Sequence, residues 1–418
     1  MSEPAPILVY VACSTNEPCK IGVGNERQMA TTQELRLPPT NSLEEVEAAV
    51  QSVHAARGFD LWIHASALDK RLGALRDAAF LQVLLTWARL SPEASLNILS
   101  NAEADATGVL KEACGYSTGI AAIVVAGRVK VRGEVVPKSE ALSAALGRIN
   151  AAYEGRYDSL MKGRTVDLLC VSGADRQYLK PLFKAASPDA VRDKYDLRPT
   201  VRALAMRAAQ CRPEDLNEDT VSALATLTHE LFENTQEHAT KNVSGIPYRR
   251  HVEMLSASWV ELDGDGERTD LTVNGRLIEY WRSLGDAQRM RRRAAGVCFS
   301  FLDSGPGMAA RLTGKDYAEL SLDQERQALH ACLQMHVTSK TDRGTGGGFE
   351  AVLTQVALAG GFVRVRSGRH SIFRCFIPGE PVGSVTEGFE DWFDPSRVLY
   401  RVAGTLISVF IPFPRPIA

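Results

Sequence analysis

A chain of 418 residues, 45% hydrophobic and 23% charged, holds enough apolar material for two or three cores at roughly 100–200 residues per domain, so it can fold without covalent staples. Its formal net charge of −2 supplies no global field for nucleic acid or anionic lipid, which excludes bulk electrostatics as the basis of such binding. The 8 cysteines are scattered with no C-x-x-C pair, which speaks against a zinc site and a disulfide framework and for a reducing, cytoplasmic setting.

Met1-Ser2-Glu3-Pro4 lacks the basic start of a signal peptide, and no apolar run approaches the roughly 20 residues that span a bilayer, so no membrane association is expected. Short apolar runs then alternate with helical patterns: a strand at Ile7–Ala12, a helix through Leu43–Ala56, a strand at Leu61–Ala65, a helix near Leu72–Leu90 and a strand at Leu96–Leu99. That rhythm is α/β layering. Ile120–Val125 and Arg128–Val131, separated by Ala126-Gly127, read as a hairpin, and Val166–Val171 as a strand ending in Ser172-Gly173. The stretch Ser187–Pro199 is the best boundary between an α/β unit over residues 1–195 and a second domain over 196–418.

From Val221, the residues Leu224, Leu227, Leu231 and Thr235 recur at three- and four-residue steps and predict a core-facing stripe on a helix capped by Asp219 or Thr220. Glu230, Asn234, Glu237 and Lys241 share another face, which is either solvated or points its polar groups into a cleft while the helix stays anchored. Asn234 is the informative member. Asparagine is a poor helix-interior residue, and its amide oxygen suits a hard cation such as Mg²⁺.

Residues 241–268 are turn-rich around one strand, Met254–Leu262, and a further strand is expected at Leu271–Tyr280. The basic run Arg289–Arg293 has no interleaved aromatic residue, so it reads as a solvated helix face or loop more readily than as a nucleic-acid patch. Val297–Leu302 is a buried strand that delivers Asp303 at its exit, where Gly305 and Gly307 let the chain turn tightly and a flat ligand approach. A carboxylate there suits an exocyclic amine such as adenine N6, or simply closes a strand-end turn. Gly344-Thr345-Gly346-Gly347-Gly348 opens a helix whose stripe is Val352, Leu353, Val356 and Ala357, ended by Gly360-Gly361. Glycines at a helix start expose N–H groups to an anion, and phosphate is the expected guest. The run is neither a P-loop nor a dinucleotide fingerprint, because no Gly-Lys-Ser/Thr follows and the spacing differs.

Together these segments resemble the GHKL superfamily of ATPases, which includes DNA gyrase B subunits, heat-shock chaperone ATPases, histidine kinases and MutL mismatch-repair proteins. Glu230–Thr235 is similar to the family's N box, Asp303–Gly307 to its G1 box, Gly344–Gly348 to its G2 box, and Gly404-Thr405 to the pair that starts the final strand. The implied fold class is α/β (α+β): a C-terminal Bergerat-type α/β sandwich preceded by a separate α/β domain. The N and G1 boxes lie 69 residues apart, which implies an insertion or an enlarged hairpin at 241–295, and residues 308–343 would form an ATP lid.

The resemblance implies that Asn234 binds Mg²⁺, that Asp303 recognises adenine with Thr405 assisting through water, and that the glycines around Gly346 cradle phosphates. Lys340 either reaches a phosphate or is a solvated lid lysine. Glu230 stands where hydrolysing members hold the general base, so the resemblance implies ATP hydrolysis to ADP and phosphate, with lid closure or dimerisation coupled to the N-terminal domain. Glu230, Asn234 and His238 also resemble the arrangement in anti-sigma-factor serine kinases, which leaves phosphotransfer to a partner open. A third reading is a nucleotide-gated switch that does not hydrolyse. A homodimer or a protein partner engaged through residues 1–195 fits each; nothing in the sequence singles out nucleic acid.

Overall fold

The computed structural model describes residues 33–100, 105–172, 176–261, 270, 273–287, 295–334, 348–377 and 379–412. Apolar runs bounded by turn residues build a first sheet in the order β1 (Glu34–Arg36), β2 (Asp60–His64), β3 (Ser95–Leu99), β4 (Arg128–Val131) and β5 (Glu134–Val136). The first four strands are parallel, and β5 returns antiparallel to β4. Its two-residue turn places Arg132 at φ 54° and Gly133 at φ 87°, the left-handed pair that matches the twist of a tight hairpin. Around it lie α1 (Leu43–Ala55), α2 (Ala65–Asp69), α3 (Ala74–Leu90), α4 (Ala106–Ala113), α5 (Ser117–Val125), α6 (Lys138–Ser143) and α7 (Leu146–Glu154). The start of α1 is set by Ser42, whose hydroxyl accepts the Glu45 N–H, with Glu44 and Glu45 in the first turn where the helix dipole favours acid.

The second sheet has seven strands. In chain order its elements are β6 (Thr165–Val171), α8 (Lys194–Ala209), α9 (Glu218–Asn234), β7 (Val252–Glu261), α10 (Gly275–Ala287), β8 (Ala295–Asp303), α11 (Met308–Thr313), α12 (Leu322–Gln334), α13 (Gly348–Leu358), β9 (Phe362–Gly368), β10 (His370–Cys375), β11 (Glu390–Asp391) and β12 (Val402–Pro412). The spatial order is β11-β10-β9-β12-β8-β7-β6, and every neighbouring pair is antiparallel.

Alternation along the strands gives this sheet two apolar faces. On one, Leu255, Phe299, Phe301, Val363 and Ile407 pack with Leu204 of α8, Leu224 and Leu227 of α9, and Leu353 and Val356 of α13. On the other, Met254, Leu302, Phe362, Leu406 and Phe410 pack with α1, α3 and α10. Helix α3 is buried at every position from Ala74 to Trp87, as a helix apolar on nearly all sides must be.

The predicted boundary at 195 does not follow the sheets. Strand β6 precedes it yet forms the edge of the seven-stranded sheet, and α1 and α3 cover that sheet's outer face. Ser187–Pro199 holds a short turn and the first part of α8, which continues through Pro199 after Asp193 caps it through the Tyr195 and Asp196 N–H groups. Gln33–Ala418 form one unit, and Met1–Thr32, including the predicted strand Ile7–Ala12, lie outside the described residues.

Two predicted strands are helices. Ile120–Val125 belongs to α5, whose nine residues are all buried; a short run apolar on all sides carries no periodicity to separate helix from strand. The hairpin partner of β4 is β5 instead. Residues 275–280 of the expected strand Leu271–Tyr280 belong to α10, where the Asn274 side chain accepts the Arg276 N–H at 2.8 Å and caps the helix start. The basic run at 289–293 lies outside the described residues. Among the described residues, no single helix is long and apolar enough to cross a membrane.

Candidate functional site

Helix α9 is capped earlier than predicted, by Asn217, whose side chain accepts the N–H groups of Asp219 (2.8 Å) and Thr220 (3.2 Å). Leu224 and Leu227 face the core as expected. After Asn234 the helix widens into a single π-helical turn, Thr235–Ala239. Such a turn inserts a residue and rotates the downstream side chains about the helix axis. Leu231 packs against the core as predicted and also lines a cleft beside Asn234; Thr235, the first residue of the π-helical turn, lines the same cleft, while Glu237 and Lys241, predicted for the cleft, are exposed.

The cleft is open to solvent, and its lining combines apolar walls with a few convergent polar groups, the composition usual for small-molecule sites. Its apolar walls come from Phe232, Met254, Phe301, Leu302, Met308 and Ile407, and its polar groups from Asn234, Glu253, Asp303, Arg311 and Thr405. Four residues predicted from three separate motifs, Asn234, Asp303, Gly307 and Thr405, thus meet in one cavity. Glu230 lies one helical turn before Asn234 on the same face, half-buried and just outside the lining. Gly348 is the first residue of α13. Lys340, Gly344, Thr345, Gly346 and Gly347 lie outside the described residues, as does the end of the predicted lid; residues 308–334 of that lid contain α11 and α12.

Asp303 ends β8 half-buried, with Oδ1 accepting the Gly305 N–H at 2.7 Å. Burial pushes its carboxyl up to about 6, against the Gly305 N–H, Arg311, the Thr405 N–H and Arg89, which all favour the anion. The turn is closed by the Gly404 N–H donating to the Gly305 carbonyl at 2.8 Å. Gly305 is needed because a Cβ there would stand 2.6 Å from the Ala239 Cβ, so the turn seats directly on the π-helical turn. Gly404 has φ 68°, and a Cβ on it would overlap the Asp303 carbonyl. Both glycines thus serve close backbone packing around Asp303, which is a different reason from the ligand approach expected at Gly305. Thr405 is buried, and its Oγ1 lies 3.2 Å from Ser367 Oγ, which itself accepts the Met308 N–H at 3.0 Å.

Several functional neighbours escape sequence reasoning. Glu253 pairs with Asp303 across β7 and β8, is 3% exposed, and both its oxygens accept from Gln236 Nε2, at 2.7 and 2.6 Å. Burial raises its carboxyl to about 8, opposed by Gln236 and reinforced by Asp303. His251 Nε2 lies 3.8 Å away, and burial followed by Arg89 lowers that imidazole to about 4. Glu253 is therefore largely protonated and His251 neutral near pH 7.

The folded chain holds the Glu253 proton where the unfolded chain, at its ordinary 4.5, has lost it, so this group's contribution to stability falls as pH rises toward about 8. His251 works in the opposite direction only below its ordinary 6.5. Between pH 6.5 and 8 the protein should lose stability by up to about 1.4 kcal/mol per pH unit. Denaturant titrations of the Glu253→Gln variant should lack that slope. An equal slope in the variant would remove Glu253 as its source.

Helix α3 reaches the site from the opposite face of the sheet. Gln82 Nε2 donates to the carbonyls of Arg366 (3.2 Å) and Ala403 (3.1 Å), and Thr86 Oγ1 accepts the Ala403 N–H at 3.0 Å. These bonds satisfy the backbone where β12 breaks register between Val402 and Thr405. Arg89 donates to the Ser304 carbonyl (2.8 Å) and the Arg250 carbonyl (3.0 Å), with its guanidinium 3.4 Å from the Tyr248 ring centre. A signal for this trio existed. Gln82, Thr86 and Arg89 form a polar stripe at steps of four and three in a helix whose other residues after Asp77 are apolar.

Arg311 of α11 also went unpredicted; its Nη2 donates to Asn234 Oδ1 at 3.1 Å. Among the described residues, no group of three or more His, Cys, Asp or Glu side chains is placed to hold a metal ion. In comparisons with family models, with curated proteins and with solved structures, no match to this chain was found.

Proposed function

We propose that the cleft binds ATP, that the fold around it is of the Bergerat type, and that the chain hydrolyses ATP to ADP and phosphate. The observation that carries this reading is the Asp303 carboxylate, pinned at the end of β8 by the Gly305 N–H and turned to an open cleft with apolar walls. An ionised carboxylate in such a place accepts a hydrogen bond from an exocyclic amine, and the flanking Met254, Met308 and Ile407 suit the flat faces of a purine. Thr405 stands beside it as a second polar contact to the base.

The phosphates would extend along α9 past Asn234 toward Glu230. Glu230 would orient water and accept its proton as general base. The Mg²⁺ ion implied by the resemblance fits these residues less well than the nucleotide does, because the Asn234 amide oxygen already accepts a hydrogen bond from Arg311. No step is therefore routed through a metal. The N-terminal layer would sense the nucleotide through Arg89, which holds the carbonyl next to Asp303.

Asp303→Asn tests the base contact. It keeps the side-chain shape but offers an amide where the base amine needs an acceptor, and binding of a non-hydrolysable ATP analogue should weaken about 10–100-fold by titration calorimetry. Unchanged affinity would remove Asp303 from the site.

A further inference from the structure

The guanidinium of Arg311 lines the cleft, and its hydrogen bond goes to a neutral amide, Asn234 Oδ1, at 3.1 Å. It is placed there by the backbone: the Arg311 N–H donates to the Gly307 carbonyl at 3.0 Å, so α11 springs directly from the Asp303 turn. Burial works against its cationic form, and the carboxylates of Asp303 and Glu237 favour it. A guanidinium carries five N–H donors in a planar fork, of which one is used, by the Asn234 bond, among the described residues. The rest offer the geometry that suits paired phosphate oxygens.

A divalent metal on Asn234 would need the same amide oxygen and would repel the same guanidinium. We propose that Arg311 is the phosphate-binding cation of this cleft, positioned by Asn234, and that it neutralises the diphosphate of a bound nucleotide without a divalent metal. The inference rests on the nucleotide reading above. It assigns Asn234 the task of aiming an arginine, where the resemblance implied a metal ligand.

The test compares adenosine with ADP, each titrated calorimetrically into the full chain in EDTA and again in Mg²⁺. The unaltered protein should bind ADP at least about 10-fold more tightly than adenosine in EDTA. Arg311→Ala should weaken ADP about 10–100-fold and leave adenosine unchanged, so adenosine affinity also certifies that the variant is folded. Should Arg311→Ala not fold, Arg311→Lys keeps the charge, loses the fork, and should weaken ADP by about 10-fold. A preference for ADP that survives these substitutions, or that exists only with Mg²⁺, overturns the inference while leaving the adenine site intact. No binding of either compound by the unaltered protein in either buffer overturns the nucleotide reading itself.

Discussion

Glu230→Ala should bind a non-hydrolysable ATP analogue as tightly as the unaltered protein and hydrolyse ATP about 10²–10⁴-fold more slowly, the usual contribution of a positioned general base. The side chain sits one turn before Asn234 on α9, half-buried and outside the cleft lining that would hold the base. Binding and turnover should therefore separate cleanly, with Kd for the analogue unmoved and kcat reduced. Undiminished hydrolysis would assign the base to another residue. If the γ-phosphate instead appears on a protein partner, and Glu230→Ala stops that transfer, the same glutamate serves a kinase, as the resemblance of Glu230 and Asn234 to anti-sigma-factor kinases allows. The two outcomes are read from one radiolabelled reaction, as free phosphate or as labelled protein.

The second large effect concerns stability. Glu47 of α1 accepts from Arg366 of β9 through both oxygens, at 2.8 and 2.9 Å, and the two side chains are 5% and 1% exposed. Arg366 also donates to the carbonyls of Gly368 (2.6 Å) and Tyr400 (2.7 Å). Glu47→Ala leaves a buried guanidinium without its counter-charge, which should cost about 3–5 kcal/mol in denaturant unfolding. Replacing both partners by apolar residues of similar volume should recover much of that loss. A loss below about 1 kcal/mol would mean that the pair contributes little. The pair spans the predicted boundary at 195, and Ser367 next to Arg366 bonds Thr405 in the cleft wall. A fragment starting at residue 196 would lack β6, α3 and Glu47 together, and should not fold to the native state.

Some of this was legible in the sequence for physical reasons. Asp303 follows a nearly continuous apolar run and precedes two glycines, so a strand exit and a tight turn were the readable parts, and both are present. Asn234 stood out because helices select against asparagine in their interior. The positions that were not legible depend on contacts across long separations. Glu253 sits within a strand and carries no local mark of burial; the π-helical turn brings Gln236 over it from the end of α9. Arg311 resembles any surface arginine on a short helix until the cleft forms around it. The π-helical turn itself has no periodic signature, and its first residue, Thr235, lines the cleft where the periodicity extended the core stripe. Helix α5 was misread because an apolar run buried on all sides fits either period.

The central claim is that this cleft is built for adenine at one end and phosphates at the other. Its most direct test is a crystal structure of the full chain with a non-hydrolysable ATP analogue. The adenine amine should lie within hydrogen-bond distance of the Asp303 carboxylate, with Thr405 beside the base and the phosphates running past Asn234 toward Glu230. An analogue bound elsewhere, or a base seated in the cleft without touching Asp303, would contradict the claim.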